Sequence, residues 1–230
     1  MDAPPVRYVT TSDGFNIAYC VSGEGMPLLF MPGAFNHVRL AWEYPGLAAW
    51  LRGLSDRFNL IQLDPRGFGM STRDVSENLT RDDYVKDLKA VVNRLGLQRF
   101  AIVGISNGSN PAIDFALEEP GRVTGLVLGG IAFRWATALF DVLPSQDWDM
   151  FLHSIIPRDR SPEERATLVG LRRQAEDQRN YLLRSRMLYG DADRYAADME
   201  KRLSELQTPT LVLRVRDYAL HDPDQYLRVA

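Results

Sequence analysis

Gly104-Ile105-Ser106-Asn107-Gly108 sets a serine between two glycines in the pattern G-x-S-x-G. The apolar run Phe100–Val103 precedes it, and a stretch with helical apolar period, Asn107–Glu118, follows. A strand that turns this sharply into a helix forces its central residue into a strained conformation and lifts that side chain above the sheet edge. The flanking glycines remove side chains that would collide as the turn closes. The chemistry that fits is nucleophilic attack by the Ser106 hydroxyl, with the following helix N-terminus favouring negative charge. The rival reading is a tight turn with an incidental serine, and the strand and helix flanks count against it.

Attack on a carbonyl needs an oxyanion hole, usually built from backbone N–H groups. The Asn107 amide is one expected donor. Ala34 is expected to give the second, from the loop Met31-Pro32-Gly33-Ala34. Gly33 permits close backbone approach there, and Gly33 and His37 are candidate pocket residues. Taken without Ser106, this loop would read as an ordinary Pro-Gly turn.

These residues require a frame. Val6–Thr10 and Asn16–Val21 read as a hairpin around Ser12-Asp13-Gly14. Pro27–Met31 and Asn59–Leu63 are continuous apolar runs, as expected for strands buried on both faces. Pro45–Leu54 and Thr80–Leu95 show helical period, the second capped by Thr80 and stopped by Gly96. Val123–Leu128 is a further strand. Strands alternating with helices mean a mostly parallel, doubly covered α/β sheet. Ala132–Leu206 breaks the rhythm with helical patterns and a capping box at Ser161-Pro162-Glu163-Glu164. Pro209–Val215 returns as a strand. The expected division is core 1–131, helical cap insertion 132–206, and core again over 207–230.

Composition removes other classes. The chain has 230 residues, a formal net charge of −3, one cysteine (Cys20) and three histidines (His37, His153, His221). A disulfide scaffold and a cysteine- or histidine-rich metal centre are therefore not expected. The acidic balance argues against a nucleic-acid partner. The basic residues are nearly all arginine and form no polybasic tract, and no apolar run approaches a membrane span. The N-terminus shows no signal-peptide pattern, so the expected location is cytoplasmic. No cofactor is expected, because Gly23-Glu24-Gly25 leads into no helix carrying a third glycine.

Several motifs in order resemble the α/β-hydrolase family. Besides GISNG, Asp64-Pro65-Arg66-Gly67-Phe68-Gly69-Met70-Ser71 is similar to its D-x-R-G-x-G-x-S loop after the fourth strand. Glu119-Pro120-Gly121-Arg122-Val123 resembles its P-x-R-V lead into the sixth strand, and Pro209-Thr210-Leu211-Val212-Leu213 its seventh strand. Gly14–Tyr19, Trp42-Glu43-Tyr44-Pro45 and DPRGFGMS resemble a bacterial subgroup sometimes fused to nucleotide cyclase or DNA-binding signalling domains. The resemblance implies a helical cap over the carboxyl ends of the strands. It also implies hydrolysis of a small ester, thioester or amide substrate through an acyl-serine. Ser106 sets the chain apart from haloalkane dehalogenases and the related epoxide hydrolases, whose nucleophile is a carboxylate. Asp64 and Arg66 are expected to organise loops.

The resemblance places the acid after the seventh strand, where Asp217 is the candidate and Asp222 and Asp224 are fallbacks. The family's histidine follows an eighth strand with no counterpart here. His37, His153 and His221 are the remaining candidates for a base, each equally readable as an ordinary surface or pocket histidine. A serine without its base is a weak nucleophile. The expectation is therefore a serine hydrolase that is impaired as given. The alternatives are a small-molecule receptor or regulatory module, or a non-catalytic scaffold. The seventh strand is expected to expose an edge suited to self-association.

Overall fold

A computed structural model describes residues 3–130, 143–156, 159–189 and 192–213. Seven strands, β1 (Arg7–Thr10), β2 (Asn16–Ser22), β3 (Pro27–Met31), β4 (Asn59–Leu63), β5 (Phe100–Ile105), β6 (Val123–Gly129) and β7 (Thr210–Leu213), form one sheet in the order β1-β2-β4-β3-β5-β6-β7. The β1–β2 and β2–β4 pairings are antiparallel, and those from β4 through β3, β5 and β6 to β7 are parallel.

Alternation along the central strands explains why both faces are covered. Leu29, Met31, Ile61 and Leu63 face one side, where α2 (Arg81–Arg94) and α3 (Ser109–Glu118) supply Val85, Leu88, Val92, Ile113 and Phe115. Leu28, Phe30 and Leu60 face the other, against Trp42 and Leu51 of α1 (Pro45–Ser55) and the 3-10 turn before it. Apolar area buried on two faces of one sheet is the main stabilising term. Thr80 and Asp83 cap α2 reciprocally.

The helical section supplies α4 (Leu143–Gln146), α5 (Trp148–Ser154), α6 (Pro162–Ala175), α7 (Gln178–Tyr189) and α8 (Ala192–Glu205). Phe151, Leu152 and Ile156 of the α5 region, Val169 of α6 and Tyr181 of α7 form their own cluster against Phe35, in the loop after β3. By contrast, α8 buries Met199 in the main core, and Arg202 pairs with Asp114 of α3. Among the described residues, α5–α7 thus pack against the loop after β3, and α8 packs against the main core.

Three boundaries differ from expectation. β5 continues two residues past Val103 because β6 extends beside it, pairing Ile105 with Gly129. The turn after β5 is a 3-10 segment, Ser106–Gly108, so α3 begins at Ser109 rather than Asn107. A residue held left-handed at Ser106 cannot start a regular helix. β7 is four residues, and the rest of the expected Pro209–Val215 strand beyond Leu213 lies outside the described residues. Among the described residues β7 pairs only with β6, and Leu211 and Leu213 are exposed.

Candidate active site

Ser106 has φ 51°, in the left-handed region where a residue with a Cβ is strained. The strain persists because the surroundings leave no alternative. A Cβ on Gly108 would run into the carbonyl oxygens of Pro32 and Met31, so the loop after β3 lies directly on the turn. A Cβ on Gly33 would stand 3.1 Å from the Ile105 oxygen and 3.2 Å from the Ser106 Cβ. The sequence brings together at this point what it keeps seventy residues apart. The serine, the Asn107 turn and the Gly33-Ala34 loop meet at the carboxyl ends of β3 and β5, which are adjacent parallel strands.

Asp64 holds the loop from below. Its carboxylate accepts hydrogen bonds from Asn36 Nδ2 at 2.6 Å, Val38 N at 2.9 Å and Met70 N at 2.9 Å. Glycine at 69 leaves the space the carboxylate fills. Arg66, also buried, grips Asp87 through Nε at 2.9 Å and forks onto Asp13 at 2.8 and 3.1 Å. Both residues therefore organise loops rather than face a reacting atom.

Burial pushes the Asp64 carboxyl up to about 6 despite these bonds. The unfolded value is about 3.9. A raised acid contributes stability below the unfolded value and loses it as pH rises through the folded one. Between pH 4 and 7 the Asp64 contribution should fall by roughly 3 kcal/mol. Urea unfolding across that range checks it: Asp64→Asn should flatten the slope, and an unchanged slope would refute the assignment.

His37 Nδ1 accepts from the Arg39 and Leu40 amides, both at 3.3 Å. That leaves the proton on Nε2. Burial, with Arg73 nearby, holds its pKa below the usual histidine value, so the ring is a neutral donor. It lines a cleft of about 190 Å³ whose walls are Ala34, Leu40, Tyr44 and Leu47 on one side and Leu168, Leu171 and Arg172 of α6 on the other. Ser106 is not among the residues lining that cleft, so its link to the serine runs through Ala34 and Gly33. His153 lies on α5 with Nδ1 2.8 Å from the Asp149 oxygen. Among the described residues neither histidine is hydrogen-bonded to Ser106. Asp217, Asp222, Asp224 and His221 lie outside the described residues. Three-residue groupings of His, Cys, Asp or Glu suited to a metal are absent among the described residues, and no described helix is long and apolar enough to cross a membrane.

Sequence reasoning missed the cap side of the cleft. Helical period shows that Leu168, Leu171 and Arg172 share a face of α6, but not that the face meets the Ala34 loop. It also missed Phe35, which is left-handed at φ 61° although phenylalanine has no preference for that conformation.

Comparisons with known proteins bear on the fold. "Haloalkane dehalogenase 2" of Mycobacterium tuberculosis is 31% identical over 133 residues, 58% of this chain and 44% of that protein. "Proline iminopeptidase" of Neisseria gonorrhoeae is 33% identical over 131 residues, 54% of this chain and 39% of that protein. The chain thus spans less than half the length of the curated relatives it matches. Among solved structures, the enol-lactonase from Burkholderia xenovorans superposes with a TM-score of 0.78 at 19% identity, covering 97% of this chain and 86% of that one. The pattern of the α/β-hydrolase fold runs along residues 26–226. That match spans most of the sequence, and the chain belongs to the α/β-hydrolase fold family.

Proposed function

We propose that this chain is a serine hydrolase acting on a small ester-like substrate through Ser106. The observation that carries the reading is the strained Ser106 held against the Gly33 loop. In the proposed reaction Ser106 Oγ bonds to the carbonyl carbon and its proton passes to a base. The carbonyl oxygen, now negative, takes hydrogen bonds from the Asn107 and Ala34 amides. Collapse expels the leaving group with a proton, and water then splits the acyl-serine. Asp217 is the proposed acid. A hydroxyl at the turn directs this chain to acyl transfer, whereas the matched dehalogenase is named for another reaction. The cleft beside Ala34 would receive one arm of the substrate between its leucine walls. A cytoplasmic setting without nucleic-acid or membrane partners belongs to the same proposal.

A fluorophosphonate probe tests it. Labelling is expected at Ser106, because an oxyanion hole alone retains roughly 10³–10⁴-fold catalysis over water. Steady turnover of nitrophenyl acetate by residues 1–230 should stay near background, since His37 and His153 are engaged elsewhere. Brisk turnover that disappears in His221→Ala would instead assign the base to His221. No label at Ser106, with ligand-induced thermal stabilisation, would favour a receptor.

The β7 edge yields a separate expectation. Leu211 and Leu213 are exposed, and an open edge is a template for pairing. Light scattering should show a dimer or larger assembly that Leu211→Lys weakens. A monomer at high concentration would refute self-association.

A further inference from the structure

We propose that the cleft between His37 and Arg172 is a carboxylate subsite, so that the preferred substrate is an ester with one short apolar arm ending in that group. The proposal rests on the reading of Ser106 as nucleophile and names the substrate class for it. The cleft holds about 190 Å³, roughly six water volumes of ~30 Å³ each, which suits a short arm. Leu40 and Leu47 on one wall and Leu168 and Leu171 on the other make it mostly apolar. Among the described residues that line it, Arg172 carries the only charge, and no Asp or Glu appears.

His37 supplies a donor. Its Nδ1 accepts from the Arg39 and Leu40 amides, both at 3.3 Å, which fixes the ring from the backbone side. The proton then sits on Nε2, and among the described residues no acceptor meets it. A donor at a cleft wall with no protein acceptor is left for water or a ligand oxygen to satisfy. Burial and the nearby Arg73 keep the ring neutral, so it offers one N–H rather than a charge.

Arg172 supplies the charge from the facing wall. It sits in the last turn of α6, with its guanidinium 5.5 Å from the centre of the Phe35 ring and Nη1 3.5 Å from the Leu152 oxygen. The end of that helix is pinned, because Arg73 Nη1 donates to the Gln174 and Ala175 oxygens at 3.0 and 2.9 Å. Arginine presents its donors in a planar fork that matches a carboxylate, and leucine walls strengthen the attraction by excluding water. A neutral arm cannot use that charge. A carboxylate has lone pairs enough for the Arg172 fork and for His37 Nε2.

Two fluorophosphonates test the subsite, with short alkyl arms of equal length ending in a carboxylate and in the isosteric carboxamide. In the unaltered protein the acid probe should label Ser106 about tenfold faster than the amide probe. Arg172→Gln should bring the ratio of the two rates close to one. His37→Asn keeps an acceptor for the Arg39 and Leu40 amides but loses the cleft donor, and should lower the ratio about threefold. His37→Gln returns a donor with the reach of Nε2 and should recover most of that loss. A purely structural role for His37 predicts the reverse order, with the asparagine variant behaving like the unaltered protein. A ratio near one in the unaltered protein, a ratio unchanged in Arg172→Gln, or that reverse order overturns the proposal. Should Arg172→Gln fail to fold, the unaltered ratio and the His37 pair decide. If neither probe labels Ser106 in the unaltered protein, the hydrolase reading falls, and calorimetry with monomethyl adipate decides on the cleft. Binding weakened about tenfold in Arg172→Gln keeps the carboxylate site, and binding that is absent or unweakened overturns it.

Discussion

Alanine at position 106 should abolish covalent capture by a fluorophosphonate and lower any ester hydrolysis by three orders of magnitude or more. Removing a triad serine elsewhere costs about 10⁶ in kcat. The smaller figure expected here follows from the proposed weak nucleophile, since neither described histidine is hydrogen-bonded to Ser106. Stability should hardly change. Alanine keeps the Cβ that makes φ 51° unfavourable, and the Ser109 amide keeps the Ser106 carbonyl as an acceptor. Melting temperature and labelling measured on the same preparation give the check. A variant that unfolds earlier yet still labels would mean that Ser106 is structural and that another nucleophile reacts.

Replacing Arg66 with methionine should lower the unfolding free energy by about 3–5 kcal/mol, the usual scale for breaking a buried ion pair from one side. Arg66 is 2% exposed and Asp87 0%, so water cannot take over the lost contacts. Burial pushes the Asp87 carboxyl up, and Arg66 opposes that push through both charge and hydrogen bonds. Arg66 also holds Asp13 well below the usual carboxylate range. Without the guanidinium, Asp87 must take up a proton or stay charged in a dry site, and the hairpin turn at Asp13 loses its tie to the loop after β4. Arg66→Lys should restore only part of the loss, since an ammonium cannot fork onto two carboxylates. Urea titration of both variants measures the difference, and a loss under about 1 kcal/mol in the methionine variant would contradict the account.

Local signals in the chain served where the physics is local. Apolar runs such as Pro27–Met31 and Asn59–Leu63 identified central strands because both faces of those strands are buried. GISNG identified the turn because steric closure leaves few residue types that fit it. Gly33 was readable for the same reason, and a side chain there would indeed meet the turn. The missing parts depend on distant partners. Asp64 and Arg66 stand in a recognisable motif, but Asn36, Val38, Asp13 and Asp87, which give them their roles, are scattered over separate elements. Phe35 is left-handed with its ring stacked on Tyr181, far along the sequence, and no neighbour announces it. The 3-10 start before α3 follows from the Ser106 backbone angle, which residue type alone does not fix.

Hydrogen bonds join the cap to the loop after β4: Gly69 N donates to the Ala175 oxygen at 2.7 Å, and Asn180 Nδ2 donates to the Gly67 oxygen at 3.1 Å. A hinged lid would have to break the Gly69–Ala175 and Asn180–Gly67 bonds together and uncover the Glu176–Arg184 pair. In the proposed reaction the substrate would face a doorway between Leu40 and Leu47 on one jamb and Leu168 and Leu171 on the other, with Arg172 and Tyr44 beside it. An entry of that kind would sort substrates by girth before any bond is made. Trimming one jamb, as in Leu171→Ala, should widen the range of esters admitted while leaving the chemistry behind it untouched.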